Sequence, residues 1–327
     1  MGTFRLLLSY MVMLSHVGFS IMGHNQGAFA VVSFLLLSGY VMTALIDKHY
    51  LDKAKLADFY KDRALRIMPQ FVFYMVATLL FAAIFNPKTI FLEHIDIYGI
   101  VYNLAIIPLN LPFFIDCRII PQAWSLGSEV QFYLLIPLIL LLRIRSQIIL
   151  LSFIVFIAAY LGYLNTDMYG YRLLPGTLFI FLIGSAIRRS TKKEKKLFMA
   201  TYAACVILFT ILLLKVELNV PFSYEVLLGI IIGAPLVAAL AKIKSGKTDL
   251  NLGNLSYGVF LNHQLFMWIF EQFKLDISYI PTTIALILVC SVAAAISYWL
   301  IERPAVNLRH TLRNRKTPNQ RLVDIAE

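Results

Sequence analysis

Apolar residues in this chain gather into about ten long runs, and the lysines and arginines fall almost wholly in alternate gaps between them. The runs cover residues 4–22, 28–46, 70–85, 130–142, 148–164, 173–187, 197–214, 226–241, 255–269 and 280–301. A helix rises about 1.5 Å per residue, so most of these segments can cross a hydrocarbon core of roughly 30 Å. The fold class this implies is all-α, a polytopic membrane helix bundle of about ten transmembrane helices.

The cations orient the bundle. With the N-terminus on the cytoplasmic side, Arg5, six cations in 47–69, two in 143–147, six in 188–196, three in 242–247 and six in 302–327 lie inside. Lys88, Arg118, Arg172, Lys215 and Lys274 are left outside. Short cytoplasmic loops carry an excess of Lys and Arg, and shifting the count by one helix would erase the asymmetry. An even number of spans with both termini cytoplasmic follows. A formal charge of +11 might otherwise suggest nucleic acid, but 60% hydrophobic composition and the loop positions of the cations make them topology signals and lipid headgroup contacts, with no nucleic-acid partner. Cys117, Cys205 and Cys290 are too scattered for a disulfide framework or a metal-spaced pair, so no metal is expected. The first run lacks a small-residue cleavage site and reads as a retained helix rather than a removable signal.

Only the 86–129 connection is long, so residues 1–316 form one membrane domain and any chemistry takes place in its body. Within that connection, residues 97–112 are apolar but interrupted by Asn103 and Asn110 and closed by prolines, as a re-entrant or interfacial segment would be. Residues 56–68 are mixed in character and stop at Pro69, which suggests a cytoplasmic interfacial helix leading into the third span. Residues 317–327 are a polar cytoplasmic tail.

Ionisable side chains in spans are costly and mark functional sites. His16 and His263 are the two histidines that fall deep within apolar runs. Arg5 precedes His16 by eleven residues, about three full turns, which puts both on one helix face roughly 16 Å apart along the axis. The bland alternative is a snorkelling anchor and a histidine bonded to a nearby serine. Arg63 and Arg66 stand at i,i+3, so both guanidinium groups can reach one anion at the cytoplasmic face; the competing reading is an ordinary positive-inside cluster. Glu129 opens the fourth span within Trp124-Ser125-Leu126-Gly127-Ser128-Glu129, where a carboxylate can orient an imidazole or bind a sugar hydroxyl. Trp124 suits an aromatic belt as well as a stacking platform. Gly229 and Gly233, four apart, read as close helix packing.

Taken in order, these residues resemble the acyltransferase 3 family of integral-membrane O-acyltransferases over roughly residues 4–310. Arg5 and His16 fit its Arg-x10-His motif, and Ser33 through Gly39 with Tyr40 is similar to its second-span signature. Phe59, Arg63, Arg66, Ile67 and Pro69 follow its Arg-x-x-Arg region. Trp124-Ser125-Leu126 with Glu129, Ser256-Tyr257 with His263, and Glu302-Arg303-Pro304 resemble its later blocks. The resemblance implies an acyl-CoA donor, commonly acetyl-CoA, and a glycan acceptor, either free or lipid-linked. It also implies a multi-pass protein of the bacterial inner membrane that acetylates a surface glycan such as lipopolysaccharide O-antigen or exopolysaccharide.

On that reading Arg63 and Arg66, assisted by Arg5, hold the CoA phosphates, and the pantetheine arm rises toward His16. His16 acts as general base or carries the acyl group as an acyl-imidazole, and Glu129 orients it or positions the acceptor. Trp124, Ser125, Tyr133, Asn262 and His263 are candidates for binding the thioester or acceptor. The competing class is a proton-coupled transporter in which the same histidines and Glu129 form a relay without covalent chemistry. Transporters of that kind often show related halves, and no internal repeat is visible here.

Overall fold

The computed structural model describes residues 1–111, 117–215 and 222–313. The 317–327 tail and Pro112, at the end of the expected re-entrant segment, lie outside the described residues. Twelve α-helices appear among the described residues: α1 (Gly2–His16), α2 (Gln26–His49), α3 (Leu56–Phe85), α4 (Ile97–Ala105), α5 (Trp124–Leu141), α6 (Arg145–Tyr160), α7 (Leu174–Arg188), α8 (Lys192–Lys215), α9 (Ser223–Leu240), α10 (Lys247–Gln272), α11 (Ile280–Ser297) and α12 (Arg303–Arg313). Among the same residues the sole β pairing is an isolated bridge between Ile21 and His24.

Each of the ten apolar runs lies mainly on a helix, but among the described residues seven helices are long and apolar enough to cross a membrane: α2, α3, α5, α7, α8, α9 and α11. A span needs about 20 apolar residues. The 15 residues of α1 and 16 of α6 fall short. At 26 residues α10 is long enough, but its first turns carry Lys247, Asp249, Asn251 and Asn254. Length and composition therefore do not reproduce the count of about ten. The 97–112 segment is a short α4 followed by a 3₁₀ turn over Ile107–Asn110, too short to cross.

Two boundaries differ from the sequence reading. Helix α3 does not stop at Pro69 but runs through it for 30 residues, because proline in a helix removes a single i to i−4 bond and the surrounding contacts hold the axis. Helix α1 ends at His16, although the apolar run continues to residue 22. Beyond it the chain turns through Gly18, Met22 and Gly23, all at positive φ, before Asn25 caps α2 by accepting from the Gly27 and Ala28 amides. Apolarity alone could not see that turn. His16 consequently stands at the C-terminal end of α1 and not inside a longer helix.

Helix α2 lies at the centre, packed against α1, α7 and α9. A Cβ at Gly39 would stand 1.7 Å from the Phe181 carbonyl oxygen, and one at Gly184 would stand 1.9 Å from that of Leu36. The α2 and α7 backbones thus touch directly, the contact small residues permit in membranes. Gly229 and Gly233 bring α9 against Val32 and Leu36 of α2, as their spacing suggested. Helix α1 lies along α10, where the Ser9 and Ser256 hydroxyls meet at 2.8 Å. That pairing sets the register that brings His16 to His263.

Candidate active site

Near the N-terminal end of α1, a cavity of about 290 Å³ is bordered by Arg5, by Arg63 and Arg66 of α3, by Glu129 and Tyr133 of α5 and by Arg309 of α12. The helical i,i+3 spacing of Arg63 and Arg66 aims both into this space, and the α1–α10 contact adds Arg5. The guanidinium groups are not bare. Arg63 is bonded to Asp62, which also pairs with Arg309 at 3.4 Å. Arg66 is bonded to Glu302, the last residue of a π-helical turn over Tyr298–Glu302 that links α11 to α12. Their flat faces rest on aromatic rings, Arg63 over Tyr133 at 5.9 Å and Arg66 over Tyr257 at 5.3 Å. Among the described residues no carboxylate forms an ion pair with Arg5.

A second, smaller cavity of about 80 Å³ lies at the other end of α1 and is bordered by His16, Asn25, Gln122, Trp124, Tyr171 and Arg172. Val31, Ser125 and Phe260 border both cavities, so the two adjoin across a partition of three side chains. Trp124 forms one wall: the Arg172 guanidinium covers its ring at 4.7 Å, Tyr171 meets it edge-on at 5.0 Å, and Arg172 is anchored on both oxygens of Asp167.

His16 Nδ1 stands 2.9 Å from His263 Nε2, and His263 Nδ1 stands 3.1 Å from the Val259 carbonyl oxygen. His263 has no exposed surface and lies behind His16 rather than in either cavity. Glu129 does not partner His16. Its carboxylate accepts from Ser38 at 2.7 Å and from Tyr133, on the arginine side of the partition. The sequence expectation that Glu129 orients His16 is corrected accordingly, because α5 begins at Trp124 and carries residue 129 more than a turn further from the histidine end. Asn262 also departs from its expected place at the thioester: its amide donates to the Tyr74 hydroxyl at 3.2 Å and the Cys290 carbonyl at 2.9 Å, facing α3 and α11. Tyr133 borders the arginine cavity, Trp124 the histidine cavity, and Ser125 both.

Sequence reasoning missed two contributors. In the sequence Arg309 reads only as a topology cation, and nothing in its spacing links it to Arg63. Gln122 donates to the Phe260 and Leu261 carbonyls and ties the segment before Trp124 to α10. A lone amide after Pro121 gave no periodic signal.

Comparison with known proteins places residues 3–302 within an acyltransferase-domain family, acyltransferase 3. An uncharacterized protein of Aquifex aeolicus is 33% identical over 202 residues, which cover 59% of this chain and 90% of that protein. O-acetyltransferase OatA of Staphylococcus aureus is 27% identical over 318 residues, 86% of this chain and 53% of OatA. Peptidoglycan O-acetyltransferase OatA of Listeria monocytogenes is 26% identical over 302 residues, 79% of this chain and 47% of that protein. The chain spans about half the length of these OatA relatives. No solved structure matches it.

Proposed function

The chain belongs to the acyltransferase 3 family, and from that premise we propose that it is a membrane O-acetyltransferase that draws on cytoplasmic acetyl-CoA and acylates a glycan hydroxyl on the far side of the bilayer. The observation that carries this reading is the pair of adjoining cavities, one rich in arginine and the other ending at a histidine, joined at Val31, Ser125 and Phe260. Arg5, Arg63, Arg66 and Arg309 take the donor's phosphates, since guanidinium forks match phosphate oxygens in pairs. The pantetheine arm then lies toward the partition and brings the thioester to the His16 side.

At His16 the acceptor O–H loses its proton to the imidazole as its oxygen attacks the thioester carbon. The C–S bond breaks, CoA leaves as the thiolate, and the proton on His16 passes to that sulfur. Transfer through an acyl-imidazole is the two-step variant: an imidazole nitrogen bonds to the thioester carbon as the C–S bond breaks and CoA leaves as the thiolate, then the acceptor oxygen displaces the imidazole and the acceptor proton passes to the thiolate. Trp124, with Tyr171 beside it, offers the acceptor sugar an aromatic wall. The acceptor is a cell-envelope glycan. Peptidoglycan is the polymer that the Listeria relative's name carries, and lipopolysaccharide O-antigen and exopolysaccharide belong to the same class.

The cation asymmetry supports an inner-membrane protein with both termini cytoplasmic and ten crossings, α1, α6 and α10 crossing within the shelter of the bundle. Residues 1–316 form the catalytic domain and 317–327 its polar tail. The test is mass spectrometry of each envelope glycan fraction from cells with the protein, without it, and with His16→Ala. Loss of an acetyl increment in the null strain, unrestored by a His16→Ala variant that inserts at normal levels, supports the reading. Full acetylation by that variant overturns the role of His16, and an unchanged acetyl content in the null strain with CoA-independent solute flux by the purified protein overturns the acyltransferase reading.

A further inference from the structure

We infer that His263 is a positioning residue that holds His16 in the Nδ1–H tautomer, so that His16 Nε2 is the nitrogen that meets the reacting group; this deepens the acyl-transfer reading and rests on it. The assignment follows from who can donate. The Val259 carbonyl oxygen, 3.1 Å from His263 Nδ1, can only accept, so that nitrogen carries the hydrogen. A neutral imidazole has one N–H, so His263 Nε2 holds a lone pair. Its partner at 2.9 Å is His16 Nδ1, which must therefore donate. One proton on the His16 ring then leaves the lone pair on Nε2. The reverse arrangement would set a lone pair of His263 against a carbonyl oxygen at 3.1 Å in a site closed to water.

Several features make this a built arrangement. His263 is fully buried and Phe260 meets its ring edge-on at 6.3 Å, so water does not compete for its nitrogens. Val259 lies one turn before His263 on α10, so the hydrogen bond that fixes the first tautomer is local to the helix and formed wherever α10 is. Ser9, Ser256 and the Arg5 carbonyl lock α1 against α10 two turns away and hold the 2.9 Å contact in register. Among the described residues Nε2 of His16 has no protein partner, and it belongs to the ring that borders the cavity shared with Trp124 and Ser125.

The chemical consequence is specific. Unrestrained imidazole in water favours the Nε2–H form, which would point a proton at the acceptor instead of a lone pair. With His263 in place, Nε2 receives the acceptor proton. The resulting imidazolium keeps its Nδ1–H on His263 Nε2, now as a charge-assisted bond, which is stronger than the neutral one. His263 thus does from a neutral ring what a carboxylate does in a serine-hydrolase triad, where the third residue fixes the tautomer. The motif that ends in residue 263 and the one that ends in residue 16 are joined by this bond.

The experiment uses full-length protein in lipid nanodiscs with ring-15N histidine, the His16 signals being identified by their loss in His16→Ala. In the wild type, His16 is expected to show a protonated Nδ1 and an unprotonated Nε2. His263→Leu should abolish that bias and lower kcat by about 100-fold or more, up to the roughly 10⁴-fold seen when the tautomer-fixing residue of a triad is replaced, with KM for acetyl-CoA unchanged. His263→Gln, whose amide oxygen can accept from Nδ1–H, should recover most of the loss. An Nε2–H His16 in an active wild type overturns the inference and leaves the acyl-transfer reading intact, as does a glutamine variant no better than leucine. Full transfer by His16→Ala overturns the assignment of His16 as the reacting base, on which this inference rests, regardless of tautomer. If His263→Leu fails to fold, the wild-type spectrum decides alone.

Discussion

Arg66 has two duties that can be separated by experiment. It is bonded to Glu302, whose side chain is 3% exposed, and it borders the cavity assigned to the donor phosphates. Arg66→Gln leaves that carboxylate buried without its counter-charge, a change that costs about 3–5 kcal/mol. Arg66→Gln combined with Glu302→Gln removes both charges together, so the double variant should be within about 1 kcal/mol of wild type, and the coupling between the two sites should come to roughly 2–4 kcal/mol. Donor binding should behave differently. Each charge-assisted bond to phosphate contributes about 1.5–3 kcal/mol, so both variants should bind acetyl-CoA about 10- to 150-fold more weakly. Stability can be followed by a thiol-reactive fluorophore during heating, because Cys117, Cys205 and Cys290 are all buried and react only on unfolding. Donor affinity is read by calorimetry on the same nanodisc samples. If the double variant regains donor affinity along with stability, Arg66 acts only as Glu302's counter-ion and the phosphate assignment falls. A single variant as stable as wild type would show instead that Glu302 finds other compensation.

Gly39→Val should destabilise the bundle by about 1–3 kcal/mol or more, seen as earlier thiol release on heating, because the first added carbon already overlaps the Phe181 carbonyl. Ser125→Phe should fill the partition between the cavities: calorimetry should find acetyl-CoA binding retained while transfer to glycan falls by roughly 100-fold. Asp249, in the first turn of α10 outside the spans, accepts from the Thr3 amide, the Gly2 amide and the Thr3 hydroxyl, and these hold its carboxyl well below the usual carboxylate range. Since the folded form is the one with the lowered value, this link contributes fully above about pH 4 and is lost as the pH falls below it. Asp249→Asn should lower stability by at most about 1 kcal/mol at neutral pH, since solvent screens most of the interaction at this partly exposed position, and the difference from wild type should narrow in a melting series taken into acid.

The membrane-bundle class was legible because hydropathy and the cation asymmetry act over whole segments, and each apolar run lies mainly on a helix. Helical phase sets Arg63 and Arg66 on one face, and the two border one cavity with Arg5. What the sequence could not supply were contacts between helices distant in the chain. The bond between His16 and His263 spans 247 residues and depends on where α1 lies along α10. The pairing of Glu129 with Tyr133 is i,i+4 and legible in principle, whereas nothing in the sequence sets Glu129 on the arginine side of the partition. Boundaries misled where apolarity outlasts the helix, as after His16, and where a proline fails to end one, as at Pro69.

The charges around the arginine cavity also bear on how a donor leaves. A site of bare guanidinium groups would be unstable when empty and slow to release a polyanion. Here Asp62 serves Arg63 and Arg309, and Glu302 serves Arg66, so the empty site is largely compensated. On the proposed reading a phosphate entering it would compete with those carboxylates, and after transfer they would reclaim the arginines as CoA departs. The exchange lowers the net affinity relative to four free arginines but keeps both states satisfied, which a turnover cycle requires. Arg5 stands apart from this exchange: without a carboxylate partner among the described residues, it can receive an incoming anion directly. It also sits on the same helix as His16, so on the proposed reading a donor anchored there would be registered against the imidazole by α1 itself.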